Sequence, residues 1–304
     1  MFVGEARIVT TGSGAARQAP GEFMKPSQSE LARRFASLHL GPRILVLPNA
    51  WDATSARIFE DAGFAAIATT SGGIANAHGY VDGQDIPRDE LLGVVRTIAE
   101  AVQVPVTADM LAGYGTTPNE IAITAREVIS SGAIGMNLED GVPGMPDALI
   151  DMDQQKENIQ AAVEAGQRQG IEFVVNARTD VFLHSIGPAE TRLARTIQRL
   201  NAYRAAGARS LFAPGVTDKE NIGKLVSGVE GPLNVLANPG TPSVPELERL
   251  GVRRVSLGSG PMRATLGLLV RIARQLSAEG SFALMLDGMM TYADANHLVA
   301  KKSG

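Results

Sequence analysis

Residues 104–109 read Val-Pro-Val-Thr-Ala-Asp, residues 134–140 read Ile-Gly-Met-Asn-Leu-Glu-Asp, and residues 173–180 read Phe-Val-Val-Asn-Ala-Arg-Thr-Asp. Each is a short apolar run that closes on charged side chains. Between them, 118–131 and 154–169 carry apolar residues at helical spacing. Runs of this length, bracketed by helices, suit strands of a parallel sheet buried on both faces.

Working outward, the same alternation fills the chain. Apolar runs fall at Ile44–Leu47, Ala65–Ala68, Val104–Ala108, Ile134–Leu138, Phe173–Asn176, Ser210–Ala213, Leu233–Leu236 and Arg254–Leu257. Helical patterns follow at 52–62, 88–101, 118–131, 154–169, 189–206, 218–227, 243–250 and 261–277. Acidic residues stand near several helix starts, as at Asp89, Glu120 and Glu190, where the positive end of the helix favours them. Eight repeats with no linker favour a closed (β/α)8 TIM barrel over a doubly wound open sheet. No GxGxxG or GxxxxGK[ST] follows a strand, so the usual open-sheet nucleotide signatures are missing.

The barrel is expected to span 28–277 of the 304 residues. Residues 1–27, rich in small residues and Pro, read as a flexible leader or expression remnant, with Met24 a candidate natural start. Ser27 is placed to cap a short helix running to Leu38. Residues 278–304 form a C-terminal arm whose Phe282–Met290 stretch is apolar and rich in Met. It packs either on a neighbouring subunit or over its own barrel end.

Composition narrows the function. Net charge is −4 with no concentrated basic run, which argues against a nucleic-acid partner. No apolar run approaches the ~20 residues of a membrane span. There is no cysteine, which excludes disulfides, thiolate metal sites and a cysteine acid or nucleophile, and fits a cytoplasmic location. None of the six lysines ends an expected strand, which disfavours Schiff-base chemistry. The four histidines show no zinc-ligand spacing.

In such barrels the active site lies at the carboxyl ends of the strands. Strand one ends at Asn49-Ala50-Trp51-Asp52, where Trp51 either walls a pocket or packs under the loop, and Asp52 reads as a helix cap. Strand two ends at Ser71-Gly72-Gly73, small residues whose backbone N–H groups can approach a ligand carboxylate; a plain turn is the alternative. The loop beyond carries His78 and Asp82. Asp109 and Glu139 end adjacent strands, and two carboxylates held together call for a hard cation such as Mg²⁺, unless both are helix caps. Arg178 ends strand five and either grips a substrate carboxylate or phosphonate, or pairs internally with Asp180 or Glu139. The Gly258-Ser259-Gly260-Pro261 turn resembles a phosphate cradle at a helix start, but a glycine-rich turn before a Pro-initiated helix explains it equally well, and it reads as structural.

Taken together, Asp109-xxx-Gly113-Tyr114-Gly115, Asn137-Leu138-Glu139-Asp140-Gly141 and Asn176-Ala177-Arg178-Thr179-Asp180 resemble the ordered motifs of the phosphoenolpyruvate mutase/isocitrate lyase superfamily. Leu47–Asp52, Gly79–Gly83 and Arg254–Gly258 fit the same pattern. The resemblance covers about residues 30–280. It implies a barrel whose last helix is exchanged between subunits of a dimer or tetramer. It also implies Mg²⁺ (or Mn²⁺) chelated by a small 2-oxo or phosphono acid, with a C–C or P–C bond cleaved or rearranged through an enolate-like state. By position, Asp109 is the metal ligand; Glu139 and Asp82 act on the metal directly or through its waters. Arg178, with Ser71, Gly72 and Gly73, holds substrate. Arg178, Glu139 and Asp82 form the catalytic set, and Trp51 walls the pocket.

Two departures qualify the resemblance. The superfamily pattern has a second acidic residue where this chain has Leu111, so weaker metal affinity is expected, with a metal-independent or silent acid-binding relative as the alternative. The Lys/Arg-Cys-Gly-His loop of the isocitrate and methylisocitrate lyases is replaced by Val142–Asp147. The branch implied is therefore the one without the catalytic-cysteine loop, and oxaloacetate-, methylisocitrate- or phosphonopyruvate-like acids stay open as substrates.

Overall fold

A computed structural model describes residues 25–300. The expected leader, apart from residues 25–27, lies outside the described residues, as do residues 301–304. Ser27 caps α1 (Gln28–Leu38) through a full capping box with Glu30. The first barrel stave is split by Pro48 into β1 (Leu45–Leu47) and β2 (Asn49–Ala50). Then follow α2 (Ala53–Asp61), β3 (Ile67–Thr69), α3 (Ser71–Ala77), α4 (Arg88–Ala101), β4 (Val106–Asp109), α5 (Pro118–Ser130) and β5 (Gly135–Glu139). A hairpin, β6 (Gly141–Val142) and β7 (Met145–Leu149), precedes α6 (Met152–Arg168), β8 (Val174–Arg178), α7 (Ala189–Ala205) and β9 (Ser210–Phe212). The chain continues through α8 (Lys219–Gly228), β10 (Leu233–Leu236), α9 (Val244–Leu250), β11 (Arg254–Ser256), α10 (Gly260–Glu279), α11 (Ala283–Leu286) and α12 (Tyr292–Val299).

The sheet runs β1-β11-β10-β9-β8-β5-β4-β3-β2 with parallel pairing throughout. Because β1 pairs with β11 and β2 with β3, the split first stave touches both edges and closes the ring. The expected (β/α)8 TIM barrel is thus the observed fold, and the eight expected helices fall within two residues of their observed bounds. Pro48 has no N–H for a ladder bond; its carbonyl still accepts from Ala68 N at 2.9 Å.

Two elements were hidden in the sequence. The Ser71-Gly72-Gly73 segment, expected as a loop, opens α3, with Thr70 capping it through Gly73 N. Gly72 lets Asp82 come close: a Cβ there would stand 2.6 Å from the Asp82 carboxylate and push that side chain aside. The β6–β7 hairpin fills the stretch where the cysteine loop was absent, turning at Gly144 with φ 75°.

The barrel interior has a polar floor. Arg254 is fully buried, reaching Ser256 Oγ and Asn137 Oδ1 at 3.3 and 3.4 Å, and burial lowers its pKa to about 9. Outside the ring, α10 does not settle on its own staves: of its twenty residues only Met262 is buried. Leu266, Leu269, Val270 and Leu276 are exposed, and so are Phe282, Leu286, Met289 and Met290 beyond it. The apolar Phe282–Met290 stretch is helical only over α11. The chain then returns so that α12 lies against α2, where Arg57 donates to the Ala300 carbonyl at 3.0 Å. Among the described residues, no helix is long and apolar enough to cross a membrane.

Candidate active site

Parallel staves deliver their last residues to one end of the ring, and there the charged strand ends converge. A cavity of about 410 Å³ is lined by Ser71, Gly72, Asp82, Asp109, Leu111, Asn137, Glu139 and Arg178, with His184 and Arg263 at its edge. A larger cleft of about 720 Å³ lies on the outer surface around Arg88, Arg96 and Tyr114. No strand end other than the Tyr114 loop reaches that cleft, and Arg88 is already paired with Glu127, so the chemistry belongs to the mouth.

Asp109 is oriented from three sides. Its Oδ2 accepts from Ser71 N at 3.0 Å and Ser71 Oγ at 2.8 Å, while Oδ1 accepts from Asn137 Nδ2 at 3.1 Å. Asn137 is itself set by Asn176 Nδ2, which donates to its Oδ1 at 2.7 Å. The Ser71 donors expected to meet a ligand carboxylate are therefore spent on a protein carboxylate. Gly73 N is spent on capping α3.

Arg178 is held by both suspected internal partners at once. Its Nε and Nη2 bond to the two oxygens of Asp180 at 2.6 and 3.1 Å, and Nη1 lies 2.7 Å from Glu139 Oε2. This pairing occurs on the cavity wall, with Phe212 beneath the guanidinium at 6.0 Å. The internal pairs and the place in the site are thus compatible.

One guanidinium serves too many acids. Burial, reinforced by Asp180, Asp109 and Asp82, pushes the Glu139 carboxyl up to about 8 even with Arg178 beside it. Burial and the neighbouring Asp109 raise Asp82 as well. Excess buried negative charge of this kind is relieved by a cation, and the donors are all oxygen, which suits a hard divalent ion. Among the described residues, however, no three His, Asp or Glu side chains form a ready ion cage. Asp109, Glu139 and Asp82 share a cavity without making a closed ligand trio. Mg²⁺, which needs one or two carboxylates and keeps several waters, fits that arrangement.

Leu111 lines the cavity with Asp82, Asp109 and Glu139, in the left-handed region at φ 53°. That backbone is uncommon for a residue with a side chain, and the loop holds it: Glu139 N donates to the Leu111 carbonyl at 2.9 Å.

Other expected residues are placed differently. Trp51 is half-buried against the core and Gly73 is packed inside α3; neither is among the lining residues, so the structure does not bring them to the substrate space. Asp52 caps α2, as read. His78 turns to Glu90, with Nδ1 2.9 Å from its Oε1. Two lining residues escaped the sequence reading. Arg263, in the first turn of α10, has no side-chain hydrogen bond or ion pair among the described residues, and the glycine-rich turn before it gives no sign of its reach into the cavity. His184 lies in the turn 181–185 after β8, four residues beyond Asp180, where no motif marks it.

A TIM barrel with acids and an arginine converging at its carboxyl-terminal mouth defines a class of enzyme acting on small oxyacids. The chain belongs to the phosphoenolpyruvate phosphomutase family, whose sequence model matches residues 35–277. An uncharacterized protein of Mycobacterium tuberculosis is 33% identical over 243 residues, covering 80% of this chain and 88% of the relative. The oxaloacetate decarboxylase of Pseudomonas fluorescens is 30% identical over 266 residues, covering 83% and 88%. Among solved structures, a Burkholderia cenocepacia protein described provisionally as a lyase/mutase superposes with a TM-score of 0.84 at 37% identity, over 91% of this chain and 98% of the other. Lyases and mutases of this family work on C–C or P–C bonds of small acids, and this chain is similar to them over nearly all of its barrel.

Proposed function

We propose that the protein is a Mg²⁺-assisted lyase that cleaves the C–C bond beside the 2-oxo group of a small dicarboxylate of the oxaloacetate type. The observation that carries this reading is the cavity in which Asp82, Asp109 and Glu139 gather with Arg178, and which the Arg263 side chain, without a partner among the described residues, also lines. Similarity to an oxaloacetate decarboxylase supports the choice of substrate, and the missing cysteine loop counts against methylisocitrate.

Asp109, with Asp82 and Glu139 nearby, would hold the ion, which when bound supplies a Lewis acid for the 2-oxo oxygen. The chain's own residues do the rest. Ser71 and Asn137 fix the Asp109 carboxylate. Arg178, clamped by Asp180 and Glu139, keeps a positive charge aimed into the cavity where enolate charge develops; a donor that need not reorganise is worth most in a site shielded from water. Arg263 would take the second anionic group, a task for which Arg178, clamped on Asp180 and Glu139, is less well placed.

The same proposal includes a homo-oligomer. A second copy would cover the outward apolar face formed by Leu266, Leu269 and Val270, which the chain leaves bare. Leu269→Glu should then reduce the mass measured by light scattering.

A second reading, a silent or metal-independent acid-binding relative, is favoured by Leu111 on the cavity wall. One experiment separates the readings. Oxaloacetate and a panel of 2-oxo and phosphono acids are followed by NMR with and without MgCl₂, beside Asp109→Asn. Turnover that needs Mg²⁺ and falls at least ~100-fold in the variant supports the lyase. Turnover indifferent to chelator supports the metal-independent form, and no turnover with no Mg²⁺ heat in calorimetry refutes the lyase.

A further inference from the structure

The mouth has a second chamber. About 310 Å³ lies under the β6–β7 hairpin, and it shares Asp82, Gly83, Leu111, Glu139 and His184 with the main cavity. His184 therefore stands at the neck between the two. Its backbone N–H is anchored to the Asp180 carbonyl at 3.0 Å, just ahead of Ser185 at φ 54°. Its side chain is 38% exposed, and Nε2 lies 3.9 Å from Asp180 Oδ2. That distance is too long for a hydrogen bond. The ring nitrogens have no hydrogen-bonding partner among the described residues, and one edge is open to solvent.

Cleaving the bond beside a 2-oxo group leaves an electron pair on C3, delocalised onto the 2-oxo oxygen. Product forms only when C3 receives a proton. Three of the four carboxyls on the wall are bonded within the protein. Asp180 gives both oxygens to Arg178, Glu139 faces Nη1 of Arg178, and Asp109 accepts from Ser71 and Asn137. Asp82 packs over Gly72, beside Asp109. The hairpin residues that line the second chamber are Gly141, Val142, Pro143, Gly144, Met145 and Pro146, none of them ionisable.

We propose that His184 is the general acid that protonates the enolate carbon, so that the site completes a cleavage and not a phosphoryl rearrangement. This rests on the lyase reading above. In the step, the C3–C4 bond breaks and CO₂ leaves with its electron pair staying behind. A ring N–H of the imidazolium then gives its proton to C3 while the enolate oxygen returns to a carbonyl, and the imidazole regains a proton from water at its open edge. Histidine is the side chain suited to donate and recover a proton near neutrality. A mutase that moves a phosphoryl group within one molecule needs no such donor.

The reverse of this step is measurable without knowing the true substrate. Pyruvate is incubated in D₂O with MgCl₂ and enzyme, and loss of its methyl protons is followed by ¹H NMR; oxalate, a planar enolate mimic, reports binding by calorimetry. The parent should exchange, and His184→Gln should exchange at least ~100-fold more slowly while binding oxalate within about threefold of the parent. Added imidazole should restore part of the rate in His184→Ala, which a merely structural role would not allow. Equal exchange by parent and His184→Gln overturns the assignment, as does a parent that binds oxalate but never exchanges pyruvate. Loss of oxalate binding in both variants also overturns it, by making His184 a structural residue. A parent that binds no oxalate refutes the lyase reading itself, and this inference with it.

Discussion

Asp140→Asn tests the scaffold that holds Arg178 in place. Asp140 is fully buried behind the mouth. Its Oδ2 accepts from Arg199 Nε at 2.7 Å and Tyr203 Oη at 2.6 Å, and its Oδ1 accepts from the amide of Asp180 at 2.9 Å. Asp180 in turn forks onto Arg178. An asparagine has one acceptor oxygen, so it serves one side of this arrangement and turns an NH₂ toward donors on the other. It also leaves the Arg199 guanidinium, largely buried, without its counter-charge. Breaking one partner of a buried ion pair costs about 3–5 kcal/mol. At about 2.1 cal/mol/K of unfolding entropy per residue, a chain of 304 residues shifts its melting midpoint by roughly 1.6 °C per kcal/mol, so a fall of roughly 5–8 °C is expected. Thermal unfolding followed through the fluorescence of Trp51, the single tryptophan, gives the midpoint shift. The double variant Asp140→Asn with Arg199→Met removes the stranded charge, and it should be more stable than the two single costs predict by at least ~1.5 kcal/mol. Oxalate affinity should weaken in Asp140→Asn, because Asp180 loses the contact on its backbone. A single variant within about 1 kcal/mol of the parent, or strictly additive costs, refutes the claim that this buried acid organises the site.

Three further outcomes follow from particular residues. His39 is buried with Nδ1 2.9 Å from the Phe35 carbonyl, and burial lowers its pKa from 6.5 to about 3. The unfolded chain therefore takes up a proton that the native state refuses, so stability falls as pH drops from 6.5 towards 3, by about 1.4 kcal/mol per pH unit. His39→Gln should flatten that part of a denaturation-against-pH curve, and an unchanged slope counts against the burial argument. Leu111→Asp adds a carboxylate beside Asp82, Asp109 and Glu139 at a left-handed position that Asp tolerates better than Leu; Mg²⁺ affinity by calorimetry should rise roughly tenfold, with lower stability in chelator. Arg263→Gln should raise KM for a 2-oxo dicarboxylate by about 10–100-fold, the worth of a lost charged hydrogen bond, yet leave pyruvate exchange unmoved; equal loss on both would remove Arg263 from the second anionic subsite.

Much of the site was legible because parallel staves impose a rule: whatever closes an apolar run must emerge at one end of the ring. That rule sends Asp109, Glu139 and Arg178 to one end of the ring, and there they line a common cavity. Helix bounds were legible for a similar reason, since capping residues such as Ser27, Asp52 and Thr117 act within four residues of themselves. Trp51 resisted because its strand end allows both an inward and an under-loop orientation, and packing against the core chose the latter.

The barrel, the order of its strands and helices, and the charged residues that crown it are all legible in the chain, because each depends on periodicity and on local contacts. Only the tertiary structure decided how the charges are spent. Arg178 is shared between Asp180 and Glu139, the Ser71 donors are turned onto Asp109, and His184 and Arg263 are brought to the rim with no side-chain hydrogen bond among the described residues. Those pairings join residues far apart in sequence across the ring, or hang on loop conformations such as left-handed Leu111 and Ser185. No local pattern encodes them, since the energy that selects them arises when burial forces distant charges to compete for one another.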